Sequence, residues 1–197
     1  MLGISSGLTS VSAPSSRVLL ETYTADWSSG VDGWGNYSQN DVAVTLTHGV
    51  TFGGKSNALR VEFNADETGT AGFRNSSPFS TAVRQGDYIE ITCDIYLEST
   101  YDSTGDGSND VTDRWSGTDT VYTTLQMPGV TSDYFHIAQD QWVSLDTPSE
   151  DNDVDLTTST SSALTIYFTS SDDRPKDGAR VYLHNFVAKL YRSQLFT

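Results

Sequence analysis

An all-β sandwich is the fold class this chain predicts, and three observations predict it. Apolar residues recur at period two, no helix-period stretch reaches about ten residues, and clusters of Gly, Asn and Asp interrupt the apolar runs at short intervals. The clearest run is YIEITCDIYLE at 88–98. There Ile89, Ile91, Cys93, Ile95 and Leu97 point one way, and Tyr88, Glu90, Thr92, Asp94, Tyr96 and Glu98 the other. The same alternation gives Val42, Val44 and Leu46 in one strand, and Leu59, Val61 and Phe63 in the next. Leu164, Ile166 and Phe168 mark a further strand, and Val181 and Leu183 begin the last. Strands are also expected at 17–22, 71–75, 120–127 and 141–146, with turns at GVDGWGN, FGGKSN, RQGD and DRPKDG between the runs. One apolar and one polar face per strand is how sandwich sheets read, and the spacing of the signals predicts about eight to ten strands.

The 197 residues suffice for one domain with an appendage, and they bury a core without disulfides or metals. Two segments stand outside the alternation. Residues 1–16, MLGISSGLTSVSAPSS, carry no charge and only thinly spaced Leu2, Ile4, Leu8 and Val11. Residues 99–119, STYDSTGDGSNDVTDRWSGTD, form a polar insertion longer than an ordinary connection. The expected organisation is therefore an N-terminal arm, 1–16, and a sandwich over 17–197 carrying a long acidic loop at 99–119.

Charge excludes several partners. A formal net charge of −15 argues against binding a phosphate backbone, which needs a positive face, so no nucleic-acid partner is expected. An anionic membrane surface is disfavoured for the same reason, and no run approaches the ~20 apolar residues of a membrane span. Cys93, the single cysteine, leaves no intrachain disulfide and sits on the apolar register, as a buried small hydrophobe does. The N-terminal stretch lacks both a basic region and a continuous apolar core, so no secretory signal is expected there.

Chemistry-bearing motifs are few. DSTGDGSNDVTD at 102–113 sets Asp102, Thr104, Asp106, Ser108, Asp110 and Asp113 on ligand positions of a twelve-residue calcium loop, with Gly107 at the turn. Thr104 stands where an acid is usual, the closing acid is the shorter Asp, and no helices flank the segment, so calcium is set against a plain solvated acidic loop. The three histidines, His48, His136 and His184, are in no metal-ligand spacing. No nucleophile elbow or phosphate-binding glycine loop occurs, and no catalytic residue is assigned, so a non-enzyme is expected.

The order TADWSSGVDGW, GGKSNALRVEF, VRQGDYIEITCDIYL, DQWVSL and RVYLHNFVAKLY resembles that of carbohydrate-binding modules of families 4, 9 and 22, over about residues 20–191. The resemblance implies a jelly-roll sandwich, with Trp34 and Trp142 in the core. It implies glycans stacked on aromatic faces in a cleft lined from one sheet, for which Tyr88, Tyr96, Trp115 and Tyr122 are the candidates. A structural calcium held by an early Glu and a closing-strand Asp also belongs to the family. Here those positions carry Ser28 and His184, so that site is not carried over.

Two function classes follow as expectations. In the first, the chain is a structural virion protein of a bacteriophage, a capsid decoration, head fibre or tail component. Its arm, through Leu2, Ile4, Leu8 and Val11, docks on other virion proteins in a multi-copy or homo-oligomeric assembly, and the sandwich is displayed for weak glycan adhesion. Such a protein is made in the host cytoplasm and becomes extracellular on lysis. The alternative is a free-standing carbohydrate-binding module related to secreted polysaccharide-degrading enzymes.

Overall fold

The computed structural model describes residues 17–38, 43–65, 71–99, 120–126, 133–147, 160–168 and 175–194. Eleven strands run through them: β1 (Arg17–Thr24), β2 (Trp34–Ser38), β3 (Val44–Phe52), β4 (Lys55–Phe63), β5 (Ala71–Asn75), β6 (Tyr88–Glu98), β7 (Thr120–Gln126), β8 (Asp133–Ala138), β9 (Trp142–Thr147), β10 (Leu164–Phe168) and β11 (Arg180–Ser193). They form a six-stranded sheet in the order β3-β4-β11-β6-β9, with β1 also on β11, and a five-stranded sheet in the order β2-β5-β10-β7-β8. Every pairing is antiparallel. The fold is the jelly-roll β-sandwich expected. The arm 1–16 and most of the acidic insertion, 100–119, lie outside the described residues.

Eleven strands exceed the eight to ten expected, and β2 and β8 are the two that no expected segment matches. WGNYS carries Gly35 and Asn36, poor strand formers, inside a turn-rich stretch, and it is held in the sheet by its ladder to β5. DYFHIA alternates Phe135 and Ile137 with Tyr134 and His136, a period-two signal too short to stand out beside the polar segments around it.

Alternation puts the apolar registers face to face between the sheets. Leu59, Val61 and Phe63 of β4, Ile89 to Leu97 of β6 and Val181, Leu183, Ala188 and Leu190 of β11 are buried against Phe73, Leu164, Ile166 and Phe168. Phe63 meets Phe168 edge-on at 6.0 Å, one contact that joins the two layers. Trp34 lies in this core, 4.9 Å from Phe186 and 5.8 Å from Phe73. Its indole Nε1 donates to Tyr23 Oη at 3.1 Å, and Asn75 Nδ2 donates to the same oxygen at 3.0 Å and to the Asp32 carbonyl at 2.8 Å. These bonds satisfy the polar groups of Trp34, Tyr23 and the Asn75 amide and tie β1, the β1–β2 loop and β5 together, while the buried Trp27 Nε1 has no partner among the described residues.

Strand β11 changes partner along its length. Residues 180–183 pair with β4, whereas 187–193 pair with β1. Between them the ladder to β6 takes one extra residue, and Asn185 there adopts φ +51°. The β3–β4 hairpin carries one bulge on each strand, around Gly49 (φ +69°) and Asn57 (φ +58°), and turns through Gly53 and Gly54. Positive φ at both turn residues (+54° and +80°) fits the mirror-image turn that matches strand twist. Bulges bend a ribbon, and this one folds over the outer face of the six-stranded sheet: Phe52 at its tip stacks on Tyr182 of β11 at 3.7 Å, and Lys55 reaches Asp94 of β6.

Candidate functional site

The outer faces of the two sheets differ in how their aromatic side chains are arranged. On the six-stranded sheet they pack on one another, with Tyr88 and Tyr182 buried and Phe52, Tyr96 and Trp142 half-buried. Tyr96 is ringed by Phe52 at 4.9 Å, Trp142 at 5.6 Å and Tyr182 at 6.1 Å. Trp142 is not in the core, a correction to expectation. It stands on the outer register of the edge strand β9, where its Nε1 donates to the Gly53 carbonyl at 3.2 Å and the Lys55 ammonium lies 4.6 Å from the ring centroid. The resemblance put Trp142 inward, whereas Val143 and Leu145 of β9 take the inner register. Tyr88 is 3% exposed and packed between Tyr191 and the Arg17 guanidinium, so it offers no open face to a sugar.

Below the aromatic cluster sits a charged hub. Asp94 accepts from Lys55 at 2.5 Å, Ser144 at 2.7 Å and Asn185 at 3.1 Å, with His184 Nδ1 at 3.4 Å. Burial pushes its pKa up, but these donors outweigh burial and hold the carboxyl below its ordinary range. Asp94 is thus an acceptor only, so His184 Nδ1 is the protonated nitrogen.

On the five-stranded sheet the register sets tyrosines in a row. Tyr37 of β2 lies opposite Gly72 of β5, Gly72 opposite Tyr167 of β10, Tyr167 opposite Thr124 of β7, and Thr124 opposite Tyr134 of β8. Tyr122, one of the expected glycan residues, is at the next position of that register, opposite His136. The Tyr37 and Tyr167 rings are half-buried, 6.3 Å apart and inclined by 55°. The Arg74 guanidinium lies 5.5 Å from the Tyr37 centroid. Gly72 makes the row possible: a Cβ there would meet the Ile166 carbonyl at 2.3 Å and Tyr167 Cβ at 2.7 Å. Sequence reading missed Tyr37, because β2 does not read as a strand, and Arg74. Tyr167 was legible as the polar register of ALTIYFT.

The remaining expected residues fall as follows. Leu2, Ile4, Leu8 and Val11, Trp115, and the loop residues Asp102, Thr104, Asp106, Ser108, Asp110 and Asp113 lie outside the described residues. Ser28 donates its backbone N–H to Asp26 at 3.1 Å, and His184 turns to Asp94. A hydroxyl and an imidazole in those places do not fit calcium, which takes oxygen ligands, chiefly carboxylates and carbonyls. Among the described residues no cluster of His, Cys, Asp and Glu is arranged to hold a metal ion.

No family model and no curated protein matches the chain. Solved structures do. A cyclase from Fischerella sp. TAU is similar at 14% identity and a TM-score of 0.51, over 91% of this chain and all (100%) of that one. The arabinose-bound α-L-arabinofuranosidase MgGH51 is similar at 12% identity and 0.51, over 87% of this chain but only 25% of that one, so this chain spans a quarter of that enzyme's length. The CBM22-1 xylan-binding domain of Paenibacillus barcinonensis Xyn10C is similar at 16% identity and 0.49, over 92% and 99%. At these identities the likeness shows a shared sandwich fold, and function has to be argued from the site.

Proposed function

We propose that this chain is a glycan-binding sandwich that seats its ligand on the outer face of the five-stranded sheet. The observation that carries the reading is the row through Tyr37, Gly72 and Tyr167. It sets two half-exposed tyrosine rings on a rigid sheet, with no side chain between them and a guanidinium alongside. A pyranose ring presents apolar C–H faces and a rim of hydroxyls. Tyrosine faces suit the former, while Arg74 and the tyrosine hydroxyls suit the latter. The resemblance of the sequence to carbohydrate-binding modules points the same way. In this reading the site binds and does not turn over its ligand.

Affinity electrophoresis of the wild type against gels containing neutral polysaccharides tests it. Retardation is expected on at least one gel. Tyr37→Ala and Tyr167→Ala should each weaken it by an amount similar to other aromatic stacking sites, about 1–3 kcal/mol per ring. Unchanged retardation in the double variant would remove the row from the reading. Shortened products recovered from the gel would replace binding with catalysis.

A second reading, display of this sandwich on a phage particle through residues 1–16, has one observation in its favour. Val18 and Leu19, at 38% and 49% exposure, are the exposed large hydrophobics among the described residues. Both stand on β1, directly after the arm, where a docked partner would cover them. Deleting residues 1–16 should then abolish co-sedimentation with particles while the sandwich melts as before. Retained co-sedimentation counts against the arm as an anchor.

A further inference from the structure

We propose that the cleft where β11 passes from β4 to β1 is a second ligand site, on the opposite sheet from the tyrosine row, for a small neutral polyhydroxylated molecule of one or two sugar units. The cleft has a volume of about 550 Å³, within the range of small-molecule sites, roughly 300–1,000 Å³. It is lined by Thr24 to Trp27 at the end of β1, Ser56 and Asn57 on the folded-over hairpin, His184, Asn185 and Val187 around the β11 bulge, and Thr92 of β6.

Three features define the ligand. First, the side chains of Thr24, Ser56, Asn57 and Thr92 have no hydrogen-bond partner among the described residues, so hydroxyl and carboxamide groups face the cleft uncommitted. Hydroxyl and carboxamide groups both donate and accept, as hydroxyl-rich ligands require, and Ala25 and Val187 supply apolar contact for C–H faces.

Second, no Lys or Arg lines the cleft among the described residues, and Lys55 on the hairpin is paired with Asp94, so no cation is offered there to a carboxylate or phosphate. The exposed Asp26 carboxylate, which accepts from the Ser28 N–H, disfavours an anion further. Third, Asn57 and Asn185 both hold left-handed backbone, φ +58° and +51°, and both line this cleft. Asparagine tolerates that conformation, yet glycine adopts it at no steric cost. At Asn185 the carboxamide donates to Asp94, but at Asn57 it has no such partner, so that bulge carries a carboxamide where backbone geometry alone is met by glycine.

That last point supplies the test. Asn57→Gly keeps the backbone and removes only the carboxamide, whereas Asn185→Gly would also break the bond to Asp94 and is left aside. The full chain is titrated with glucose, galactose, xylose, arabinose and their β-linked disaccharides, and amide shifts are followed by two-dimensional NMR. At least one sugar is expected to shift Thr24–Trp27, Asn57, Thr92 and Asn185 in a saturable manner. This response should persist in the Tyr37→Ala/Tyr167→Ala variant, which separates it from the tyrosine row. Asn57→Gly should weaken it roughly tenfold, the effect of one lost hydrogen bond at a built site. Thr92→Val, isosteric and on a strand, gives the same reading if the glycine variant does not fold. The proposal is overturned if none of these sugars shifts the cleft amides, if the shifts survive loss of the Asn57 carboxamide and of the Thr92 hydroxyl, or if only charged probes such as choline or acetate produce them.

Discussion

Glu21 shows how a half-exposed carboxylate becomes a pH-dependent tie. Burial alone pushes its pKa up, yet the backbone N–H of Ser80 (2.9 Å) and of Thr81 (2.7 Å) and the Ser80 hydroxyl (3.0 Å) outweigh it and hold the pKa at about 2. A folded-state pKa below the unfolded value of roughly 4.3 means the stabilisation is present in full above that value and is lost as pH falls through about 2. Glu21→Gln should therefore lower the denaturation midpoint at pH 7 and change it little below pH ~2. An equal effect at both pH values would sink the hydrogen-bonded carboxylate as its cause. Cys93 makes the opposite case. Burial, then the neighbouring Asp94 charge, pushes its thiol up to about 12, and the side chain is 3% exposed. Because only the thiolate attacks, Ellman's reagent should leave the folded protein unlabelled and modify it fully in denaturant. Rapid labelling in native buffer would contradict the burial. This residue was legible in the sequence, since its place in YIEITCDIYLE fixes its face. The Glu21 tie was not, because Ser80 and Thr81 are far along the chain and belong to a loop without any pattern.

At the scale of elements, period-two alternation located nine of the eleven strands and which side of β4, β6, β10 and β11 faces the core. It did not show that the β3–β4 hairpin leaves its sheet. That depends on two bulges whose signals, Gly49 and Asn57, are single residues within good strand patterns. Trp142, placed in the core by the resemblance alone, stands instead on the outer register, half-buried against the hairpin that folds over from another strand. The clasp between hairpin and sheet can be separated from the turn itself. Gly53 and Gly54 both have left-handed backbone, so alanine at either costs about 1–2 kcal/mol in strain. A Cβ at 53 would also sit 2.6 Å from Trp142 Nε1, whereas one at 54 meets nothing within 4 Å. Gly53→Ala should thus destabilise the protein more than Gly54→Ala does, and should alone alter the near-ultraviolet circular dichroism of the tryptophans. Equal losses with unchanged spectra would mean that the tip does not seat Trp142.

For the whole molecule, the two outer faces and the net charge act together on what can bind. Sandwich architecture puts the tyrosine row and the six-stranded face on opposite sides of one core, so a ligand on one does not exclude a ligand on the other. A formal charge of −15 surrounds both with negative potential. Arg74 beside Tyr37 is a local exception, a single guanidinium in that field. Stacking and neutral hydrogen bonds are insensitive to screening, whereas repulsion from a polyanion fades as the Debye length shrinks from about 10 Å at 0.1 M salt to 3 Å at 1 M. Retardation by a neutral polysaccharide should then be the same at low and high salt. Sulfated or uronic-acid gels should hold the protein poorly at low salt and no worse as salt rises. Strong retention on a polyanionic gel that weakens with added salt would mean that Arg74, or basic residues near it, dominates recognition. The tyrosine faces would then be secondary, and Arg74→Gln would abolish binding where Tyr167→Ala does not.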